Sequence, residues 1–176
     1  MRNSIGEDEE AAGNERSATM KIRKFSQEDL PAILAIQEKL PQAPRWLEWD
    51  YASLAADPQG MLLVAELETM TPPKVLGFVA FRRVIDQAEL YNLAVDPAHQ
   101  EQGVGRALLE EARRRLLEAG AKRVFLEVRT SNKPALGLYS SIGFSLQALR
   151  KDYYREPRED AYVMRLELAP PNDRSA

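Results

Sequence analysis

Cysteine is absent from the 176-residue chain, and histidine occurs only once, as His99. The absence of cysteine excludes disulfide bonds, thiolate metal sites and a cysteine nucleophile. His99 follows Asp96 and Pro97 in a predicted turn. A lone histidine in a turn is typical of a solvated surface residue, so we expect no catalytic role for it. Any acid-base chemistry must therefore use other side chains, and no metal site is expected.

The chain also lacks a long apolar run and an excess of positive charge. No segment reaches the roughly 18 apolar residues of a membrane-spanning helix, and residues 1–19 are polar and acidic where a secretion signal would be basic and then apolar. The formal net charge is −3, and no basic stripe alternates with aromatic residues. These absences predict a cytoplasmic protein with neither a membrane nor nucleic acid as a direct partner.

Length and composition favour one compact domain. Hydrophobic residues make up 44% and charged residues 29% of the chain, which is ordinary globular composition. Two cores within this length would each be too small to bury much surface. We expect a domain over residues 20–168, preceded by a disordered extension over 1–19 and followed by a flexible tail over 169–176.

Apolar periodicity changes several times along the chain. Helical spacing predicts helices over residues 26–40, 45–56, 104–119 and 134–142. Runs of β-branched and aliphatic residues predict strands over 21–25, 61–67, 75–84, 89–95 and 123–128, a strand beginning at Phe144 and a last strand over 161–168. This order predicts a mixed α/β (α+β) single domain, in which an antiparallel meander precedes a β-α-β-α-β-β segment.

A glycine-containing loop joins the strand ending at Val95 to the long helix. It reads Gln100-Glu-Gln-Gly-Val-Gly-Arg-Ala107, and its amides lie at the positive end of the helix dipole, where anions bind. Gly103 and Gly105 let a phosphate approach the backbone, and Arg106 adds a cation. The dinucleotide pattern G-x-G-x-x-G fails at Leu108, and no Gly-Lys-Ser/Thr follows for a P-loop. The pattern Q/R-x-x-G-x-G/A fits instead.

This loop and its flanks resemble the GNAT superfamily of N-acetyltransferases. Three further blocks, at residues 91–97, 126–132 and 138–144, resemble the RimI-type ribosomal-protein-alanine N-acetyltransferases within that superfamily. The resemblance implies acetyl-CoA as co-substrate and two central strands that splay apart. It implies that the loop binds the pyrophosphate through Glu101, Gln102, Gly103, Val104, Gly105 and Arg106. It implies that the main chain of the preceding strand binds the pantetheine arm at Leu93, Ala94 and Val95. It also implies a further cofactor contact from Asn132 at the start of the next helix. Asn132 would equally serve as an ordinary helix cap, and both roles are compatible.

The same resemblance makes Glu127 the general base and Tyr139 the general acid, with Tyr139 also next to the cofactor sulfur. Glu127 interrupts an apolar strand that we expect to be central, where a carboxylate is costly without a partner or a task. Glu127 could instead be an outward-facing strand glutamate, and Tyr139 could instead be a tyrosine that only packs in the core. A phenol with a pKa of about 10 is a suitable proton donor to the departing thiolate, because the parent thiol has a similar pKa of about 8.5 to 10.

The acceptor depends on two segments, residues 41–51 and 151–160. The second, with its paired tyrosines and acidic dipeptide, resembles the RimI type, whereas the first departs from it at Pro44-Arg-Trp-Leu-Glu-Trp49. Trp46 and Trp49 could equally be packing residues. Three functions stay open: acetylation of a protein N-terminus, such as the alanine of a small-subunit ribosomal protein; acetylation of lysine, a polyamine or another small amine; and coenzyme A binding without turnover. We expect a monomer or weak dimer.

Overall fold

The computed structural model describes residues 19–68 and 73–168. Thr19 offers its carbonyl to the amide of Glu68 at 3.3 Å. The remainder of the expected N-terminal extension and the expected C-terminal tail lie outside the described residues, so both stay predictions.

The described residues form one mixed sheet of seven strands with helices on both faces. The strand order is β1-β2-β3-β4-β5-β7-β6, and every neighbouring pair is antiparallel except β4 and β5. The strands are β1 (Met20–Lys24), β2 (Gly60–Leu67), β3 (Lys74–Val84), β4 (Gln87–Val95), β5 (Arg123–Arg129), β6 (Ser145–Arg155) and β7 (Arg158–Glu167). The helices are α1 (Leu30–Glu38), α2 (Glu48–Ala56), α3 (Val104–Glu118) and α4 (Lys133–Ile142). The predicted mixed α/β domain is confirmed.

Local signals set most helix boundaries. Ser26 begins the first helical segment through a capping box, in which the Asp29 carboxylate accepts the Ser26 amide at 2.7 Å. The segment starts as a 3-10 turn, so α1 itself is shorter than predicted. Residues 45–47 are not helical, and α2 begins only at Glu48. α3 and α4 match their predicted bounds to within one residue.

Each face of the sheet carries its own hydrophobic core. α3 and α4 cover one face, with Leu108 and Leu116 fully buried against strands that include β3 and β5. α1 and α2 cover the other face over β2 to β4, around Ile33 and Tyr51. Full burial of one such aliphatic side chain stabilises the fold by about 1.5 to 3 kcal/mol. The two cores hold β2, β3 and β4 from both sides.

Candidate active site

β4 and β5 separate after a short paired segment. They form a parallel ladder only from Gln87 to Glu89 and from Arg123 to Phe125. Beyond it β4 stays paired with β3 and β5 stays paired with β7, so each strand is held on its outer side only. Within the described residues, the two inner edges therefore have no strand partner there, and apart from the Val95 carbonyl, which accepts from Gln100, their main-chain groups can hydrogen-bond an extended ligand. The predicted splay of the central strands is confirmed, and we call this opening the β4–β5 gap.

A β-bulge at Tyr91 reverses the facing of β4 just before the gap. Leu90 lies opposite Phe81 and Asn92 lies opposite Ala80, which leaves Tyr91 as the extra residue. After the bulge, Leu93 and Val95 pack on the α3 side of the sheet, whereas Ala94 packs on the α1 side. Their side chains thus belong to the two cores, and only their main chain can line the gap.

The loop before α3 offers a set of unpaired amides. Its first helical hydrogen bond runs from the Ala107 amide to the Gly103 carbonyl at 3.0 Å. Within the part of the chain that the structure describes, no hydrogen bond uses the amides of Val104, Gly105 or Arg106. Three such donors at a helix N-terminus are suited to hydrogen-bonding an anionic group.

The two glycines of the loop have different reasons to be glycine. Gly103 has a φ of +81°, and a Cβ placed there would meet no atom within 4 Å. Its backbone conformation requires glycine, and the space beside it is open. At Gly105 a Cβ would lie 3.1 Å from Leu138 Cδ2 on α4 and 3.6 Å from Val95 Cγ2 on β4. Gly105 therefore lets α3 approach α4 and β4 closely, and its role in letting a phosphate approach the backbone stays a prediction.

The polar side chains of the loop are already engaged within the protein. Arg106 donates to Ser141 Oγ on α4 at 2.7 Å and lies 3.5 Å from Glu110. Gln102 donates to the Ala98 carbonyl at 3.2 Å. Glu101 adopts a positive φ of 60°. The Arg106 guanidinium has five N–H donors, so these two contacts leave others available to an anion on the loop.

The sole histidine also belongs to this region. His99 Nε2 lies 2.9 Å from Lys74 Nζ, and its Nδ1 lies 3.5 Å from the Gln102 side-chain oxygen. Gln100 donates to the Val95 carbonyl at 3.2 Å, which ties the loop to the end of β4. The histidine thus braces the loop, and it lies on a different segment from Glu127 and Tyr139.

α4 positions two of the predicted site residues. Asn132 is its N-cap, and Tyr139 lies within the helix. The Asn132 side chain accepts the Ala135 amide at 3.2 Å, so its capping role is observed. Tyr139 is 7% exposed, packs in the α3-side core, and has its ring centroid 5.6 Å from that of Phe144. Burial raises the pKa of the Tyr139 phenol above its usual range. Its proton is therefore less closely matched to a thiolate than the sequence argument assumed.

Glu127 lies on the opposite face of β5 from Tyr139. Leu126 and Val128 pack in the α3-side core, so the alternating side chain of Glu127 points the other way. Its carboxylate has a partner, because Arg150 NH1 on β6 lies 3.1 Å from Glu127 Oε1. The sequence predicts either a partner or a task for this carboxylate, and it gives no indication of Arg150, which is distant along the chain. The β4–β5 gap is the passage between the faces that carry Glu127 and Tyr139.

A second carboxylate and two tyrosines surround Glu127. Withdrawal from water, and then the charge of Glu127, raise the pKa of Glu89 on β4. Burial, and then the Glu127 charge, raise the pKa of Tyr153 on β6. Burial, and then the neighbouring Tyr153, raise the pKa of Tyr154 to about 12. The paired tyrosines noted in the sequence therefore lie beside Glu127.

The β6–β7 hairpin is clamped to the end of β5 by a buried arginine. Arg129 donates to Glu159 Oε2 at 3.2 Å and lies 4.1 Å from the centroid of the Tyr154 ring. Glu159 also accepts the Ser131 amide at 2.7 Å. These contacts fix the segment 151–160, which forms the ends of β6 and β7 and the turn between them.

The other expected acceptor segment is fixed by one glutamine. Gln37 on α1 accepts the Trp46 amide at 2.9 Å and the Tyr51 hydroxyl at 2.7 Å, and it donates to the Trp46 carbonyl at 2.9 Å. Trp46 packs on Tyr51, with ring centroids 5.1 Å apart. Trp46 is therefore a packing residue, whereas Trp49 is 64% exposed.

Neither a metal-ligand cluster nor a membrane-spanning helix is found among the described residues. No group of three or more histidine, aspartate or glutamate side chains in residues 19–68 and 73–168 could hold a metal ion. No helix in those ranges is both long and apolar enough to cross a membrane.

Comparison with known proteins identifies the family. The model of the acetyltransferase (GNAT) family matches residues 21–144. The chain is 37% identical over 150 residues to the [ribosomal protein bS18]-alanine N-acetyltransferase of Escherichia coli K12, covering 84% of this chain and 97% of that protein. It is 47% identical over 85 residues to N-alpha-acetyltransferase RimI of Mycobacterium tuberculosis, covering 48% of this chain and 51% of that protein.

A solved structure agrees with this assignment. The crystal structure of the ribosomal-protein-S18-alanine N-acetyltransferase from Escherichia coli superimposes with a TM-score of 0.75 at 33% identity, covering 90% of this chain and 99% of that chain. The splayed strands β4 and β5 and the unpaired amides at the start of α3 are consistent with these similarities. The chain belongs to the GNAT family of acetyl-CoA-dependent N-acetyltransferases.

Proposed function

We propose that this protein transfers the acetyl group of acetyl-CoA to the N-terminal α-amine of an alanine-starting protein, with a ribosomal protein of the bS18 type as the acceptor. The observation that carries the proposal is the 37% identity over nearly the whole length of the Escherichia coli enzyme named for that acceptor. The fold similarity to the crystal structure named for the same activity supports it.

The described residues fit acetyl-CoA. The free amides of Val104, Gly105 and Arg106 match a pyrophosphate, with Glu101, Gln102 and Gly103 forming the rest of the loop. The main chain of Leu93, Ala94 and Val95 matches the amides of the pantetheine arm. Asn132 stands at the N-terminus of α4 and would add a further contact there. Bound acetyl-CoA supplies the activated acetyl group and a thiolate leaving group.

Direct transfer needs two proton handlers. The acceptor nitrogen attacks the thioester carbon, the C–N bond forms and the C–S bond breaks. Glu127 takes the proton that the nitrogen loses, and Tyr139 donates a proton to the departing sulfur. The positions of the two residues on opposite faces of β5 support this division, because a thioester in the gap would have one residue on each side.

Amine basicity favours a protein N-terminus over lysine. An α-amine has a pKa of about 8 and a lysine amine about 10.4, so the α-amine is roughly a hundredfold more available in its neutral form at pH 7. Glu127 is already paired with Arg150 in the ligand-free protein, and an acceptor that is easily deprotonated makes the smaller demand on such a base.

A panel of acceptors tests the proposal. The full-length protein is mixed with acetyl-CoA and with an alanine-starting peptide, the same peptide with a blocked N-terminus and an internal lysine, or spermidine. Thiol release gives the rate, and mass spectrometry locates the acetyl group. The proposal expects fastest release with the free alanine terminus and acetylation at its α-nitrogen. Faster release with the lysine peptide or spermidine would replace the proposed acceptor, and thiol release with none would favour coenzyme A binding without turnover.

A further inference from the structure

Glu89 and Glu127 lie side by side at the point where β4 and β5 separate. Glu89 is opposite Phe125 in the last pair of the parallel ladder. Glu127 is two residues beyond Phe125 and therefore projects from the same face of β5. The Glu127 carboxylate acts on Glu89 both through its charge and as a side-chain hydrogen-bond partner, so the two groups are close. The two carboxylates therefore stand together at the entrance to the β4–β5 gap.

Only one of these carboxylates has a cationic partner. Arg150 from β6 pairs with Glu127 at 3.1 Å. Arg82, the cross-strand neighbour of Glu89 on β3, instead pairs with Asp57 at 2.7 Å. Among the described residues, no lysine or arginine lies within ion-pair distance of Glu89, and the charge of Arg150 acts on it only from farther away. The two carboxylates and Arg150 therefore leave one negative charge without a matching cation.

An aromatic ring completes the surroundings. Tyr153 on β6 is 44% exposed, and the Arg150 guanidinium lies 5.6 Å from the centroid of its ring. The charges of both Glu127 and Glu89 act on its phenol. Carboxylates beside an exposed aromatic face favour a cation, and Arg150 is a cation already held there. One further cation would balance the charge.

We propose that Glu89 binds the acceptor amine in its ammonium form and holds it beside Glu127. This role rests on the proposed function, because the acceptor must be an amine that enters from this face of the sheet. Most α-amines are protonated at pH 7, so an enzyme of this type meets its acceptor as an ammonium group. Glu89 makes the encounter favourable and leaves Glu127 to accept the proton.

Coenzyme A allows the test to be made without turnover. The full-length protein in complex with coenzyme A, which carries no acetyl group, is titrated by calorimetry with two peptides. One starts with alanine, and the other starts with a propanoyl group and lacks only the amine. At pH 7 the wild type is expected to bind the alanine peptide about tenfold more tightly. Glu89→Gln should lose most of that preference while binding the propanoyl peptide as before.

Two variants act as controls. Glu89→Asp should restore part of the preference, because it restores the charge on a shorter side chain. Glu167→Gln removes another exposed strand carboxylate, one paired with Arg165 at 3.0 Å, and should keep the full preference. Circular dichroism confirms that each variant is folded.

The outcomes separate this role from the proposed function. A Glu89→Gln protein with the wild-type preference would overturn the role of Glu89. So would a wild type that binds the two peptides equally, or binds neither. Preference for the charged peptide together with thiol release only for lysine or spermidine would keep the role of Glu89 and reject the proposed acceptor.

Discussion

At the scale of single residues, the placement of Glu127 and Tyr139 on opposite faces of β5 separates their expected effects. Glu127 faces Arg150, Glu89 and Tyr153, where an amine would enter. Tyr139 lies in the α3-side core beside Phe144. In the proposed reaction each handles a different proton, so the two substitutions should leave different kinetic signatures.

Glu127→Gln should lower kcat/KM roughly a hundredfold or more near pH 7, because the amide cannot accept the proton of the acceptor. The loss should shrink as the pH rises towards 9, since solvent then supplies more neutral amine. Initial rates with the alanine peptide from pH 6 to 9 measure both effects. Arg150→Gln is the control for loss of the ion pair, and it should not reproduce this pH dependence. Full turnover of Glu127→Gln at every pH would show that Glu127 is not the base.

Tyr139→Phe should lower kcat by roughly a hundredfold to ten-thousandfold without rescue at high pH. The substitution keeps the ring that packs on Phe144 and removes only the hydroxyl that would protonate the sulfur. Affinity for acetyl-CoA, measured by calorimetry, should change little. Tyr162→Phe alters another partly buried tyrosine of the same core and should leave kcat unchanged. Loss of cofactor affinity with an unchanged kcat would contradict the acid role.

At the scale of elements, the loop before α3 combines a strained backbone with unpaired amides. Glu101 and Gly103 both have positive φ values, and together they turn the chain so that the first amides of α3 face outward. The sequence predicted this loop because glycines and helical periodicity are local signals. The packing role of Gly105 against Leu138 depends on α4 and could not be read from the loop itself.

Substitutions at Gly103 should separate strain from ligand approach. Asparagine tolerates a positive φ and valine does not, so Gly103→Val should reduce the free energy of unfolding by about 1 to 2 kcal/mol and Gly103→Asn by less. Both add a side chain where we expect the pyrophosphate, so both should weaken acetyl-CoA binding severely. Urea unfolding and calorimetry measure the two effects. A Gly103→Asn protein with wild-type affinity would remove the pyrophosphate interpretation of this loop.

The β6–β7 hairpin illustrates the opposite case. Through their resemblance to the RimI type, its tyrosines and acidic pair predict an acceptor segment over residues 151–160, but no local pattern indicates what holds that segment. The clamp comes from Arg129 and Ser131, which lie far away along the chain and meet Glu159 only because β5 pairs with β7. The pairing of β6 with the other edge of β7 brings Arg150 to Glu127.

At the scale of the whole molecule, several carboxylates link stability to pH. Hydrogen bonds from Arg114 and Arg115 lower the pKa of Glu111 to about 2, and those from Ser131 and Arg129 lower that of Glu159 to about 2. Hydrogen bonds also lower the pKa of Asp57 and Asp96. A carboxyl group in the unfolded chain has a pKa of about 4. The unfolded state therefore binds more protons than the folded state between about pH 4 and pH 2.

The free energy of unfolding should therefore be nearly constant between about pH 7 and pH 5 and should fall as the pH drops from about 4 towards 2. The raised pKa of Glu89 acts in the opposite direction but is a single group. Urea unfolding at several pH values measures the slope, and Glu159→Gln should make it shallower. Stability that stays unchanged down to pH 2 would contradict the contribution of these ion pairs.

The sequence by itself determined the mixed α/β class, the order of elements, the loop of residues 100–107 and the identity of Glu127 and Tyr139 as candidates. The class, the element order and the loop depend on periodicity and glycine placement, which act between residues close along the chain. The resemblance to a known family implies the candidate roles of Glu127 and Tyr139. It did not determine which face each residue occupies, because the bulge at Tyr91 shifts β4 by one residue and exchanges the two faces.

Only the tertiary structure decided the partners. The pairing of Glu127 with Arg150, the nearness of Glu89 and the clamp from Arg129 all follow from strand order and register. These contacts join residues from different elements, and their formation requires the sheet and both cores to assemble first. The sequence shows which side chains are chemically suited to the site. The charged groups around each of them are set by the folded sheet, because those neighbours come from other strands.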